Sequence, residues 1–459
     1  MKATLSIPLT CRELAHILAI PTPREDGVIR AVVTDSREAE KGDLFFAFDG
    51  QTHRGEEHIP EARKRGAYAI GTAATADAFT VRDTRAALMA LAKAYKERLA
   101  HLRQTVAITG SVGKTTTKEL LRTLADTTYR VHATAGNFNN EIGLPMTVLS
   151  APHDTELLIL ELGINHPSEM RPLAAVARPG LAIITNIGHA HIGNFGSERA
   201  LHEEKLRIRE ELREGGQLLL PWEDTRLPRT GDDVCPVSVT ERDAPFALLT
   251  ERISEDRREV TLYEKGDEVA HLPLPFADEG SYKNAALAIA AARLLGVSPS
   301  VIAERLRHGA GGCRRMRRCT LFGGGCLLDD AYNASPESMT EALTVLSRET
   351  DATRCVLLGD MLELGAYTES MHREIGRSLV RYGVERAFFY GVYAPFYRLG
   401  AIEGGMDPSR IWINNDPTSP ERTVEQIRCA CTGKETLLCK GSHGVNLTKI
   451  IEKIRCERT

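Results

Sequence analysis

The stretch Ile108-Thr-Gly-Ser-Val-Gly-Lys-Thr-Thr116 decides the fold. It continues the apolar run Thr105-Val-Ala-Ile-Thr109 and leads into a helix expected over Lys118 to Ala125. A phosphate-binding loop needs that context of strand, glycine turn and helix. Glycines let backbone N–H groups approach phosphate oxygens, the helix N-terminus faces the negative charge, and Lys114 reaches the β and γ oxygens. Thr115 offers a hydroxyl to Mg2+. Gly110, Ser111, Val112, Gly113, Lys114, Thr115 and Thr116 are therefore the candidate ATP-binding residues. Two residues separate the glycines where the standard loop has four, so a plain glycine turn carrying a fortuitous Gly-Lys-Thr is the competing reading. No Asn-Lys-x-Asp occurs to read guanine, but a loop alone does not separate a ligase from a motor or a kinase.

Outward from the loop, short apolar runs alternate with helix-length amphipathic stretches. They are Thr105–Thr109, Leu157–Glu161, Ala182–Asn186, Leu218–Leu220, Cys326–Asp330, Cys355–Asp360, Ala387–Gly391 and Thr436–Gly441. Strands apolar throughout and separated by helices predict an α/β fold of parallel sheets covered on both faces. Ligands collect at the carboxyl ends of such strands, where Thr109, Glu161, Asn186, Asp330, Asp360 and Lys440 stand. At 459 residues the chain exceeds one hydrophobic core, so two or three domains are expected. A first unit finishes near Val81-Arg-Asp83, an apolar-periodic stretch runs from Thr84 to Leu102, and the basic, turn-rich segment Gly309 to Arg318 reads as a hinge. Domains are thus expected over 1–83, 84–312 and 313–459.

A hydrophobic content of 42% with 26% charged residues is that of an ordinary globular chain. The net charge of -4 gives no support for a nucleic-acid partner. No run approaches the roughly 18 apolar residues of a membrane span, and Met1-Lys-Ala-Thr-Leu-Ser-Ile-Pro8 lacks a signal peptide's apolar core. A cytoplasmic protein without membrane insertion is expected. Nine of the ten cysteines lie beyond residue 230, none in Cys-x-x-Cys spacing, and all read as reduced thiols.

Glu161 ends the strand next along the chain, one layer from the loop, where a carboxylate holds Mg2+ directly or through water; the bland alternative is a cap or a surface acid. His189-Ala-His191 invites a zinc reading, but alternate residues reach one ion only from an extended segment, and no third soft ligand is near in sequence. A single imidazole on Mg2+ beside a carboxylate fits better. Lys205, within the helical stretch Ser197 to Glu214, reads on its own as a solvated lysine among Glu203, Glu204, Arg207 and Arg209.

Taken together, the motifs resemble the Mur ligase family over nearly the whole chain. They run Thr34-Asp-Ser-Arg37, Gly42-Asp-Leu-Phe45, Thr109–Thr116, Thr134-Ala-Gly-Asn-Phe-Asn-Asn-Glu-Ile-Gly-Leu-Pro145, Glu161-Leu-Gly163 and Thr185-Asn-Ile-Gly-His-Ala-His191. Asp329-Asp-Ala-Tyr-Asn-Ala-Ser-Pro336, Gly359-Asp-Met-Leu-Glu-Leu-Gly365 and Lys440-Gly-Ser442 follow in order. The resemblance implies three domains: one for the UDP end of a substrate, a central P-loop-type ATP domain with a parallel sheet, and a Rossmann-like C-terminal domain. The Asn-Asn-x-Ile-Gly and Gly-Asp-Met-x-Glu-Leu-Gly strings are those of the member that joins D-alanyl-D-alanine to UDP-N-acetylmuramoyl-tripeptide through an acyl phosphate, so those two substrates are implied, and the enzyme is expected to be a monomer.

Carried over by position, Ser36 and Arg37 lie near the uridine nucleotide and Asn139 and Asn140 face the substrate. Lys114 contacts the phosphates, Thr115 and Glu161 hold one Mg2+, and His191 serves a second. The family carries a lysine carbamylated by CO2 fourteen residues after that histidine, which here is Lys205. Lys114, Glu161, His191 and Lys205 are then the catalytic set, while Asn284, Arg315, Asp330 and Asn333 surround the nucleotide. The chain departs from the family pattern at Arg54-Gly-Glu56, at Gly193 where a glutamate is usual, and at Asp278-Glu-Gly-Ser281. A related ligase adding a single amino acid, or glutamate to folate, and a non-catalytic ATP-binding protein are the alternatives.

Overall fold

All eight apolar runs form strands, and six of the described α-helices, among them Thr84–Glu97, Glu198–Leu206 and Pro336–Leu346, start at a side-chain cap. The computed structural model describes residues 1–22, 26–50, 54–74, 78–254, 257–308 and 316–455. Among these residues the chain builds three sheets in succession. The first has five strands in sequence order, Lys2–Thr10, Val28–Val33, Asp43–Phe46, Tyr68–Gly71 and Phe79–Thr80; only the first pair is antiparallel. Asp83 then caps helix Thr84–Glu97, accepting from the N–H groups of Arg85 and Ala86. Its Leu88, Leu91, Ala92 and Tyr95 recur at helical spacing and are buried.

The second sheet is centred on Gln104–Thr109, which lies between Leu181–Ile184 and Leu157–Glu161. Val131–Ala133 closes one side. On the other, Gln217–Pro221 and Val234–Ser238 continue the parallel order. Three further strands, Phe246–Ile253, Arg258–Glu264 and Asp267–Leu274, extend it as an antiparallel meander that the apolar runs do not announce. Phe246–Ile253 is buried at its start and exposed from Thr250 onward, and Asp267–Leu274 is exposed at its start, so these strands lack the continuous apolar signature of a covered sheet. Helix Glu279–Leu294 packs across this sheet on an unbroken run of buried apolar residues, Ala285 to Ala292, with alanine at all but Leu287 and Ile289. Its N-cap is Asp278, accepting from Ser281 N at 2.7 Å, so the departing string Asp278-Glu-Gly-Ser281 is a helix start.

The third sheet places Thr436–Lys440 between Cys326–Asp329 and Arg354–Gly359, then Arg386–Tyr390 and Ile411–Asn414, all parallel, with Arg317–Thr320 antiparallel at one edge. The hinge segment lies largely outside the described residues, as does Arg315. No helix among the described residues is long and apolar enough to cross a membrane. The described cysteines are free thiols.

Candidate active site

In the second sheet the central strand is flanked by two strands that both follow it in the chain, and in the third by two that both precede it, so each sheet has a switch point where the strand order reverses, and carboxyl ends of strands at both open onto one cleft. That cleft, of about 380 Å3, is lined by Ser111, Val112, Lys114, Thr115, Asn139, Glu161, His191 and Lys205 on the central side. Asp330, Asn333, Glu363, Lys440 and Ser442 face them from the C-terminal side.

The glycine loop is shaped by what touches it. Gly110 has φ +147°, and a Cβ there would lie 1.9 Å from Thr185 Oγ1; Gly113 has φ +86°, and its Cβ would lie 2.2 Å from Asn284 Oδ1. Neither position admits a side chain. Asn284 thus sits directly behind the loop. The helix begins at Lys114, four residues before the expected start, because Gly113 in the left-handed conformation serves as its N-cap. Ser111 N donates to Asn186 O (3.2 Å) and Val112 N to Asn186 Oδ1 (3.0 Å). These two amides are therefore engaged by the protein, and anion-facing donors are left to the Gly113 N-cap and the first helical turn. Lys114 Nζ donates to Gly110 O at 2.6 Å, within its own loop.

Thr115 Oγ1 donates to Glu161 Oε2 at 2.9 Å, while Asn139 Nδ2 donates to Glu161 Oε1 at 2.8 Å. Glu161 is 2% exposed, which excludes the surface-acid reading. Carboxylate, hydroxyl and amide oxygens grouped this way form a hard donor set that suits Mg2+. The two histidines diverge. His189 contacts Glu337 through Nδ1 (2.6 Å) and Glu198 through Nε2 (2.8 Å), and the Glu337 carboxylate beside it raises its pKa to about 9 against the opposing effect of burial. His191 pairs through Nδ1 with Glu363, which that contact holds below the usual carboxylate range. His191 and Glu363 both adopt left-handed backbone, at φ +64° and +63°. For non-glycine residues this costs of order 1–3 kcal/mol each and tends to occur where function over-determines the backbone.

Lys205 lies on the buried side of helix Glu198–Leu206 and is 2% exposed, so it is not a solvated lysine. Burial, then repulsion from Lys114, push its pKa well below the ordinary value, and Glu337 only partly offsets them. The remaining expected residues divide. Asp330 is bound by Lys440 (2.6 Å), which also donates to the Asn333 carbonyl (2.9 Å). Asp360 ends its strand but turns to Tyr393 N (3.0 Å); burial raises its pKa to about 6, and it does not line the cleft. Ser36, Arg37 and Asn140 line a separate cavity of about 1000 Å3 between the first and second sheets. There Ser36 donates to Glu61 (2.6 Å), Arg37 is held by Asp35, and Asn140 Oδ1 accepts from Gly143 N (2.9 Å). Sequence reasoning did not reach Glu337 and Glu363; Glu363 carried a signal as part of Gly359–Gly365, but its partner stands 172 positions away.

Residues 108–292 match the Mur ligase middle domain family, and residues 314–443 the family described as Mur ligase, glutamate ligase domain. The UDP-N-acetylmuramoyl-tripeptide–D-alanyl-D-alanine ligase of Bacillus subtilis is 32% identical over 438 residues, 94% of this chain and 94% of that relative. A crystal structure of MurF from Acinetobacter baumannii superposes with a TM-score of 0.85 at 26% identity, covering 97% of this chain and 98% of the other. The MurF ligase of Thermotoga maritima in complex with ADP gives 0.76 at 25% identity, covering 92% and 96%.

Proposed function

The chain belongs to the Mur ligase family, and we propose that it is the member joining D-alanyl-D-alanine to UDP-N-acetylmuramoyl-tripeptide, forming ADP and phosphate, in peptidoglycan precursor synthesis. The observation that carries the reading is the single cleft in which the glycine loop, Glu161, His191 and Lys205 meet the C-terminal loops. In this proposal the enzyme works in the cytoplasm as a monomer. ATP binds along the first turn of helix Lys114–Ala125, with Asn284, Asp330 and Asn333 toward the nucleotide. The cavity bearing Ser36 and Arg37 takes the UDP end, and Asn139 and Asn140 border the path between the two sites.

The substrate's terminal carboxylate takes the γ-phosphoryl group, and the amine of D-alanyl-D-alanine then attacks the acyl phosphate. A C–N bond forms, phosphate leaves, and the amine loses a proton. Two Mg2+ ions, when bound, supply charge neutralisation on the transferring group. Thr115, Glu161 and His191 are the side chains that would hold them. Lys114 swings from its loop carbonyls to the transferring oxygens, a small motion for a long side chain. Asn139 orients Glu161 and Glu363 orients His191, so each acts from a fixed geometry. The loops bearing Leu362–Leu364 and Ser442–Gly444 cover the cleft and exclude water, which would otherwise hydrolyse the acyl phosphate.

Carbamylation of Lys205 belongs to the same proposal. Burial and the nearby Lys114 charge both disfavour the protonated form of Lys205 and so favour the free amine, the form that attacks CO2. The N–C bond forms as one proton leaves, and the resulting anion relieves the repulsion from Lys114. Phosphate release is the test, with UDP-N-acetylmuramoyl-tripeptide as the carboxylate and D-alanyl-D-alanine beside single amino acids as acceptors. Release with a single amino acid and none with the dipeptide sinks the assignment. Lys205→Ala should abolish turnover with or without bicarbonate; unchanged activity removes the carbamate.

A further inference from the structure

The loop Thr185 to His191 belongs to the central domain, yet much of its shape is fixed from the C-terminal one. Glu337, in the first turn of helix Pro336–Leu346, reaches across the cleft mouth to accept two hydrogen bonds on one oxygen, from His189 N (2.8 Å) and His189 Nδ1 (2.6 Å). Gly188 makes room for it: a Cβ there would lie 2.4 Å from the Glu337 carboxyl carbon. The other carboxylate oxygen, Oε2, is buried with no hydrogen-bond partner among the described residues. A buried charged oxygen without a partner is costly, so the group is held there by what its twin oxygen does.

Two more contacts lead from this point into the nucleotide wall. His189 Nε2 meets Glu198 Oε1 (2.8 Å) in the first turn of the helix that carries Lys205. Gly188 N donates to Ser111 Oγ (2.9 Å), and Ser111 Oγ returns a bond to Gly188 O (3.2 Å), tying the same loop to the phosphate-binding turn. One carboxylate of the C-terminal domain therefore grips the segment that touches the glycine loop, the Lys205 helix and His191.

We infer that Glu337 is a positioning residue that couples docking of the C-terminal domain to the assembly of the phosphate-binding wall, acting through His189. With the domain swung away, His189 loses its double acceptor and the loop loses the contact that sets its backbone. The kinetic part of this inference rests on the ligase reading; the docking part does not.

Two readouts test it. Small-angle scattering of the full chain with Mg2+ and ADP follows closure without turnover. The wild type should become more compact on adding ADP, and Glu337→Ala should stay extended while binding a fluorescent ADP analogue within threefold of wild type. In steady state, kcat should fall about 10- to 100-fold, the range for a lost charge-assisted hydrogen bond, with KM for ATP changing less than threefold. Glu337→Gln keeps the shape and removes the charge, so it reports the same effect, at the smaller end, if the alanine variant folds poorly. Exchange of the pair in His189→Glu/Glu337→His should recover most of the kcat lost by either single change, which a purely structural role would not produce. Closure and kcat of Glu337→Ala equal to wild type overturn the inference, as does a swap that stays as impaired as the singles. If the wild type releases no phosphate with the dipeptide yet the scattering difference persists, the substrate assignment fails and the coupling stands.

Discussion

Gly193→Ala isolates the contact between the two domains. Gly193 sits in the short helix Ile192–Phe195, and its N–H donates to the Glu363 carbonyl at 2.9 Å. A Cβ at this position would lie 2.4 Å from Gly365 N and 2.8 Å from both Glu363 O and Gly365 Cα, all backbone atoms of the C-terminal domain. Ordinary contact begins at 3.4 Å, so the domain must retreat by 3.4 - 2.4, or about 1 Å. Backbone cannot swing aside as a flexible side chain does. Gly193 itself is outside the positive-φ region, and alanine favours helix by roughly 0.5–1 kcal/mol, so the central domain tolerates the change. The whole penalty falls on the interface. A 1 Å retreat takes the 2.9 Å hydrogen bond beyond range and pulls Glu363 from His191. Losing one backbone bond, about 1 kcal/mol, and one charge-assisted bond, about 1.5–3 kcal/mol, disfavours the docked state by roughly 2.5–4 kcal/mol. Each 1.4 kcal/mol is about tenfold, so kcat should fall on the order of 100-fold if docking gates turnover. Phosphate release measures kcat, and thermal melting checks that the domains remain folded. Gly193→Ala with kcat within twofold of wild type and unchanged compaction with ADP refutes the reasoning.

Three other changes probe separate parts of the molecule. Lys114→Ala should lower phosphate release by at least about 10³-fold, as expected for loss of a phosphate-contacting cation, with thermal melting run alongside to separate that loss from unfolding. Arg258→Ala should destabilise the antiparallel meander by roughly 2–4 kcal/mol in urea unfolding; it removes a buried guanidinium that bonds Thr250, the Ala277 carbonyl and Glu279 and lies 4.0 Å from the Tyr282 ring centre. In the C-terminal domain, burial lowers the His372 pKa from 6.5 to about 4, so its contribution is full above pH 6.5 and lost as pH falls toward 4, whereas Asp360, raised from 3.8 to about 6, contributes fully below 3.8 and loses that as pH rises through 6. His372→Gln leaves only the second effect, so the variant's unfolding free energy from urea titration should rise relative to wild type as pH falls from 6.5 to 4.5, by up to about 3 kcal/mol; a parallel pH profile contradicts it.

What the sequence made legible was whatever depends on neighbours in the chain. The strand, glycine turn and helix around Gly110 to Thr116 could be read because that chemistry is local, and Glu161 because a strand end is a place. Lys205 could not be read from its surroundings, since Glu203, Glu204 and Arg207 make its segment look solvated; only packing of the helix shows that Leu201, Glu204 and Lys205 form its buried side. Asp360 satisfied the strand-end argument and still turned away, because Tyr393 N was a nearer partner than the cleft. The meander at Phe246–Leu274 escaped because its strands run from buried to exposed along their length and so lack a continuous apolar signature.

The unusual length of the glycine loop has a physical account in its neighbours. A longer phosphate loop can wrap an anion with its own amides, whereas this one has two intervening residues and commits both of their amides to Asn186. Thr185 Oγ1 and Asn186 Nδ2 also donate to the Val112 carbonyl, at 2.5 and 2.8 Å. The turn is thus clamped from the adjacent strand end, and its two glycines are demanded by Thr185 on one side and Asn284 on the other. Shortening the loop transfers its support to Thr185-Asn186, the start of the segment that ends in His191. The phosphate loop and the histidine loop are consequently one mechanical unit, held at Val112 from within and at His189 and His191 by carboxylates of the C-terminal domain. A ligase that must protect an acyl phosphate from water gains from that arrangement, because the same C-terminal loops that border the cleft hold the wall that positions the phosphoryl group.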